Sequence, residues 1–203
     1  MITINGLERR FGDRKVLEGV DLEVGVGERV GLHGPNGSGK STILRCVAGT
    51  LAPSSGEVRV GGHRAGSVAA RSLVGVSLSH ERAFDLRLSG RQNLLFFARI
   101  RLGRERVARR AVAALIEELE LDEIAAQRVA NCSTGMVQQL AFVRALVGEP
   151  PCLVLDEPTR SLDDEARGRL WAALDARPRL AVLFATHRDD DLANCSHTLG
   201  LAA

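Results

Sequence analysis

Long apolar runs, a leader segment, paired cysteines and a strong net charge are all missing from this chain, and each absence removes a class of protein. No apolar stretch approaches the ~20 residues that a helix needs to cross a bilayer. The N-terminus shows no basic-then-apolar segment of the secretory kind. Together these lead us to expect a cytoplasmic chain, or one held at a membrane by a partner. The four cysteines, Cys46, Cys132, Cys152 and Cys195, form no CxxC pair and fit no zinc spacing. Free thiols in a reducing compartment are therefore expected. The net charge of +2 is too small to imply a nucleic-acid partner, and none is expected. Lysine is almost absent: of 27 Lys and Arg residues, only Lys15 and Lys40 are lysine. That bias reads as genome composition, and the Arg-rich stretch 104–110 as a solvated helix face. The chain also lacks internal repeats and low-complexity linkers.

What is present is a globular composition. The 203 residues are 45% apolar and 26% charged, which suits one domain with a lobe inserted into it. Residues 2–7, 20–24 and 28–33 read as strands, with Gly25 and Gly27 marking the turn between the last two. Residues 40–48 read as a helix, followed by a Gly/Pro/Ser break at 49–56; 58–60 and 73–78 read as short strands. From 86 to 148 the spacing becomes helical. There Val107, Ala111, Leu115, Ile116 and Leu119 recur at intervals expected of a buried stripe. Strand signals return at 152–155 and 180–185, with a helix at 164–175 between them whose Trp171 is expected to pack against neighbouring elements. The expected fold is an α/β core (about 1–85 and 149–203) interrupted by a helical lobe (about 86–148), with an antiparallel β region at the N-terminus.

Three segments carry chemistry. Gly34-Pro35-Asn36-Gly37-Ser38-Gly39-Lys40-Ser41 is a complete P-loop between a strand and a helix. Glycines there let backbone N–H groups converge on phosphate without Cβ clashes, and the helix N-terminus adds a favourable field for an anion. Lys40 is expected to reach the β- and γ-phosphates of ATP, Ser41 to hold Mg²⁺, and the binding segment to run on to Thr42. Residues 152–157 form an apolar strand that ends in two acids. Asp156 can hold Mg²⁺, usually through water, and Glu157 can orient or polarise the attacking water. His187 ends the next strand, where it can contact the γ-phosphate and keep Glu157 and the water aligned.

The order of these and further motifs resembles the nucleotide-binding subunit of an ATP-binding cassette (ABC) transporter, over essentially the whole chain. Arg10-Phe11-Gly12 resembles the segment whose aromatic stacks on adenine, which makes Phe11 the candidate. Cys132-Ser133-Thr134-Gly135-Met136 resembles the family signature, usually Leu-Ser-Gly-Gly-Gln. The turn Ser161-Leu162-Asp163 and finally His187 complete the series. The resemblance implies an RecA-like P-loop fold, ATP hydrolysis with Mg²⁺, and work in pairs. Ser133, Thr134 and Gly135 would bind the γ-phosphate of ATP held by the opposite subunit, and Asp163 would couple the two facing sites. The pair could be a homodimer or a heterodimer with another cassette subunit. The helical lobe would contact a membrane-spanning permease at the cytoplasmic face of the membrane. The Met-ending signature and the stretch 89–97 resemble exporters of the ABC-2 type, which include drug, antibiotic and glycan exporters.

The sequence departs from that pattern in three places. Ser79-His80 stands where the family usually has a Gln that touches Mg²⁺ and the joint to the lobe, and imidazole is a poor Mg²⁺ ligand. The signature has lost its leading Leu and its terminal Gln, and Thr134 replaces the first Gly. The given sequence stops at Ala203, and the C-terminal sugar-recognition domain of some glycan exporters is accordingly not expected. Two other readings stay open: a cassette ATPase that regulates or assembles a complex without transport, and a module that binds ATP but cleaves it weakly. DNA-repair and translation cassettes need a long coiled-coil insertion or a second cassette, neither of which the 203 residues contain, so that class is not expected.

Overall fold

A computed structural model describes residues 1–78 and 84–202, so Ser79 and His80 lie outside the described residues. Two compact units emerge, each with its own contacts: Met1–Leu78, Pro151–Pro158 and Arg179–Ala203 form the first, and Ser79–Pro150 with Thr159–Pro178 the second.

The first unit holds two sheets. An antiparallel one has the order β2-β1-β4-β5, built from β1 (Ile2–Phe11), β2 (Arg14–Val24), β4 (Ser55–Val60) and β5 (His63–Arg64). The other has the order β6-β7-β8-β3-β9, from β3 (Arg29–His33), β6 (Val74–Ser77), β7 (Cys152–Asp156), β8 (Ala181–Ala185) and β9 (His197–Gly200). Every pairing in this second sheet is parallel. Residues 152–155 and all of β8 are buried, which explains why they read as unbroken apolar runs with no alternation. Three helices complete the unit: α1 (Lys40–Val47), α2 (Val68–Ser72) and α8 (Asp189–Leu192). A single apolar core joins Ile2, Ile4 and Leu7 of β1, Val30 and Leu32 of β3, Ile43 and Leu44 of α1, and Val154 and Leu183. Burying Ile43 and Leu44 fully contributes about 1.5–3 kcal/mol for each side chain, which anchors α1 and hence the loop before it.

The second unit is helical: α3 (Gly90–Leu102), α4 (Glu105–Glu118), α5 (Asp122–Ala126), a single 3₁₀ turn at Val129–Asn131, α6 (Thr134–Leu146) and α7 (Asp164–Asp175). Short polar side chains cap the starts of α3, α6 and α7, whereas α4 has no side-chain cap. Ser89 and Gln92 form a reciprocal capping box on α3, with N···O distances of 3.2 and 2.9 Å. In α4 the buried positions are Ala108, Val112, Leu115 and Ile116, continued by Leu119. This corrects the expected stripe: Val107 is 45% exposed, and Ala111 is only partly covered. The two candidate phases differ by one residue, about 100° around the helix, and the buried face carries Ala108 and Val112 in place of Val107 and Ala111. Trp171 of α7 is buried.

Candidate functional site

The parallel sheet brings three motifs to one edge. Leu32, Ala185 and Asp156 stand in register across β3, β8 and β7. The ladder continues past the strands: Thr186 N–H donates to Leu32 O at 3.1 Å, and Glu157 N–H donates to Ala185 O at 2.9 Å. In a parallel sheet all carboxyl ends point the same way. The P-loop, the Asp156-Glu157 pair and His187 therefore open at the same edge within about 10 Å, two strand spacings.

The loop between β3 and α1 needs its glycines. Gly34, Gly37 and Gly39 have φ of 142°, 85° and 100°, where side chains are strained. A Cβ on Gly34 would lie 2.3 Å from Leu201 O, and one on Gly39 would lie 2.4 Å from a Leu17 methyl. Gly39 is also the N-cap of α1, so no side chain caps that helix. Its first-turn N–H groups lack partners within the helix and remain available to an anion. Lys40 is buried, and its ammonium donates to Gly34 O at 2.7 Å and Pro35 O at 2.9 Å. Ser38 is also buried, and its hydroxyl has no hydrogen-bond partner among the described residues. A cation folded onto the loop's own carbonyls, an orphaned hydroxyl and an uncapped helix start together fit a cradle for a polyphosphate. Ser41 is exposed at the start of α1, and Asp156 is partly covered at the end of β7. A hydroxyl and a carboxylate are the donor types that suit Mg²⁺, which keeps phosphate oxygens and waters as its other ligands. Pro35 and Asn36 form the exposed tip of the loop, and Thr42 follows in the first turn of α1.

Glu157 has φ of 50°, a left-handed conformation that costs a non-glycine residue about 1–3 kcal/mol. The strained turn follows directly after β7, and Glu157 Oε1 lies 3.2 Å from His187 Nε2. The carboxylate side chain is 16% exposed and the imidazole 44%, so the pair borders solvent.

Phe11 ends β1, directly across the hairpin from Arg14. Its ring is exposed and carries the Arg9 guanidinium 4.4 Å from its centroid, with Arg9 held by Ala52 O at 3.0 Å. A Cβ built on Gly37 would lie 3.9 Å from Arg14 Nη2, which places this second guanidinium beside the P-loop.

Ser133, Thr134, Gly135 and Asp163 belong to the second unit. Ser133 caps α6. Its Oγ accepts the Met136 N–H at 3.2 Å, and Met136 Sδ accepts the Ser133 N–H at 3.4 Å. Sulfur thus replaces the amide oxygen expected in a capping box. A Cβ on Gly135 would sit 2.4 Å from Ser161 O, so glycine lets the signature helix start against the loop that leads to Asp163. Asp163 caps α7, accepting the Ala166 N–H at 2.8 Å.

Several groups had no signal in the sequence. The left-handed turn at Glu157, Arg14 beside the loop, and a buried pair formed by Thr186 and Asp191 all depend on spatial neighbours. Among the described residues, all four cysteines are free thiols.

A parallel sheet with a P-loop after one strand, a histidine after the adjacent strand and an acid pair after the next defines a nucleotide-binding cassette. Residues 17–160 match the ABC transporter family model, and the chain belongs to that family. It is 39% identical over 172 residues to the daunorubicin resistance ATP-binding protein DrrA3 of Streptomyces coeruleorubidus, covering 84% of this chain and 54% of that protein. It is 40% identical over 192 residues to the Nod factor export ATP-binding protein I of Burkholderia orbicola, covering 92% and 62%. The chain thus spans between half and two thirds of the length of these relatives. Among solved structures it is similar to an ATP-binding subunit of an ABC transporter, with a TM-score of 0.84, 26% identity, and 98% and 85% of the two chains covered. It also shares its fold with a dimeric bacterial ABC transporter cassette, with a TM-score of 0.88, 23% identity, and 100% and 94% covered.

Proposed function

We propose that this chain is an ATP-binding and ATP-hydrolysing subunit that powers a membrane exporter through a separate permease. The observation that carries the reading is the 3.2 Å contact between His187 and Glu157 at the sheet edge where the P-loop opens. On ATP binding, Lys40 exchanges the carbonyls of Gly34 and Pro35 for the β- and γ-phosphates. The N–H groups of residues 37–42 surround the phosphates, and Phe11, backed by Arg9, stacks on adenine. Ser41 and Asp156 hold Mg²⁺, which supplies neutralisation of phosphate charge. Glu157 accepts a proton from the attacking water, and His187 holds that carboxylate in place beside the γ-phosphate.

The signature residues gain a use in a head-to-tail pair. Ser133, whose Oγ already accepts one N–H, keeps its own hydroxyl proton to donate. With Thr134 and Gly135 it would meet the γ-phosphate on the P-loop of a second cassette, while Asp163 couples the two sites. A C₂ pair repeats that contact twice, and a heterodimer with another cassette subunit uses the same surfaces. Phe96 and Ile100 expose apolar side chains one turn apart on α3, and Val107 does so on α4. These suit a permease docking surface, which would hold the chain at the cytoplasmic face of the membrane. Export is supported by what the relatives are named for: drug resistance in one and Nod factor export in the other.

The test uses the Glu157→Gln chain, which should bind ATP without turning it over. ATP with Mg²⁺ is expected to raise the dimer fraction seen by light scattering, and Ser133→Arg to abolish that rise while nucleotide still binds. Full ATPase activity from a demonstrably monomeric chain would refute the paired site.

A further inference from the structure

Next to His187 lies a polar pair that none of the nucleotide motifs uses. Thr186 and Asp191 are both fully buried. Thr186 Oγ1 donates to Asp191 Oδ2 at 2.8 Å and accepts the Arg188 N–H at 3.1 Å. The Thr186 N–H is tied to Leu32 O of the strand that feeds the P-loop. Asp191 is fixed in turn, since its N–H donates to Arg188 O at 3.2 Å. His187 is therefore the one residue enclosed by a closed turn. The side chain before it bonds the amide after it, and both ends of that turn are bonded to Asp191.

The chemistry of the pair gives the turn a single setting. A hydroxyl has one proton and can rotate to suit its surroundings. Here the carboxylate accepts the hydroxyl's hydrogen bond, which turns an oxygen lone pair toward the Arg188 amide. The hydroxyl makes both of its bonds in one orientation only, and buried polar contacts of this kind specify geometry rather than add stability. An apolar pair of the same size would pack the space equally well without fixing the imidazole.

We propose that Thr186 and Asp191 are positioning residues that hold His187 against Glu157, and thereby set the rate of ATP cleavage without touching the nucleotide. The inference rests on the proposed roles of Glu157 and His187.

The experiment is a double-mutant cycle on the full chain, reading steady-state kcat and KM, ATP affinity by calorimetry, and thermal unfolding. Thr186→Val keeps the shape and removes both hydrogen bonds. It is expected to lower kcat ~10- to 100-fold, the scale of a misplaced catalytic group, and to leave ATP affinity within about twofold. Thr186→Ser retains the hydroxyl and is expected to restore kcat to within about threefold of wild type. In a His187→Ala background, Thr186→Val should cost nothing further, because the residue it positions is gone. Should Thr186→Val fail to fold, Asp191→Asn takes its place in the same cycle; it is nearly isosteric and offers a weaker acceptor. A wild-type kcat in Thr186→Val, or an equal loss with and without His187, overturns the proposal. If His187→Ala itself leaves turnover unchanged, the assignment of His187 fails instead, and the cycle identifies which of the two was wrong.

Discussion

Glu157→Gln isolates the chemical step from everything else the residue does. The side chain is nearly isosteric, and its amide oxygen can accept the His187 Nε2–H that now faces Glu157 Oε1 at 3.2 Å. The backbone at φ 50° is as strained for glutamine as for glutamate, so the strain cancels between the two proteins. Folded stability should therefore change by less than about 1 kcal/mol. What disappears is proton acceptance. Loss of a general base costs ~10²–10⁴ in rate, equivalent to about 2.7–5.5 kcal/mol of transition-state stabilisation. The nucleotide contacts of Lys40 and the P-loop are untouched, so ATP affinity should remain within about twofold. The assay is phosphate release at saturating Mg-ATP, paired with calorimetric ATP binding and a thermal scan on the same preparation. Turnover within about threefold of wild type, with the fold intact, would remove Glu157 from the catalytic role, since no smaller effect is consistent with a lost base.

Three other perturbations test separate parts of the site. Lys40→Ala should weaken ATP binding at least ~100-fold in calorimetry, the worth of about two charge-assisted hydrogen bonds to phosphate; equal affinity would show that the ammonium never leaves Gly34 and Pro35. Gly34→Ala places a Cβ 2.3 Å from Leu201 O at φ 142°, so it should destabilise the fold by about 2–4 kcal/mol, read as a clear fall in Tm; an unchanged Tm would mean the loop relaxes freely. Burial pushes the Cys152 thiol from an ordinary value of 9.0 up to about 12. The unfolded chain gives up that proton near pH 9 while the folded chain keeps it, so stability is constant below that pH and falls as pH rises toward about 12. Denaturant titrations between these limits should show a shallower alkaline decline for Cys152→Ala, and identical slopes would contradict the assignment.

The fold was legible where one physical signal dominated. Buried β7 and β8 announce themselves as apolar runs, and α7 runs from Asp164 to Asp175 behind its cap Asp163, where its pattern starts and stops. Legibility failed where signals compete. β1 and β2 extend to Phe11 and back from Arg14, well beyond the readable 2–7 and 20–24, because Arg9, Arg10, Arg14 and Lys15 hide the strand pattern at the hairpin end. Cross-strand pairing holds those residues extended, and no local propensity reports it. Among the described residues the strand β9 pairs only with β3, and it is mostly exposed, so His197–Gly200 has no apolar alternation to read. In α4 the period was visible but its phase was not: Val107 and Ala108 are both apolar, and only packing decides which faces inward.

The candidate site divides along the same line. Motifs named the residues at the ends of β3, β7 and β8, because phosphate and metal chemistry demands particular side chains at fixed chain distances. Motifs could not show the left-handed turn at Glu157 or the Thr186–Asp191 bond, which exist only between neighbours in space. Met136 illustrates the difference. As a letter, it is the loss of a family glutamine. In the structure its sulfur accepts the Ser133 N–H at 3.4 Å, while Ser133 Oγ accepts the Met136 N–H at 3.2 Å, so α6 still starts with a reciprocal cap. Thioether sulfur is a weak acceptor, and what the substitution changes is the strength of that cap, not its presence. Geometry at the helix start is thus kept by a residue that sequence comparison counts as a departure. By the same reasoning Thr134, whose side chain is exposed beside Gly135, need not disturb the helix start, since the tight approach to Ser161 O is made at Gly135. The strict requirement for glycine falls on the second of the two signature positions, the one this chain has kept.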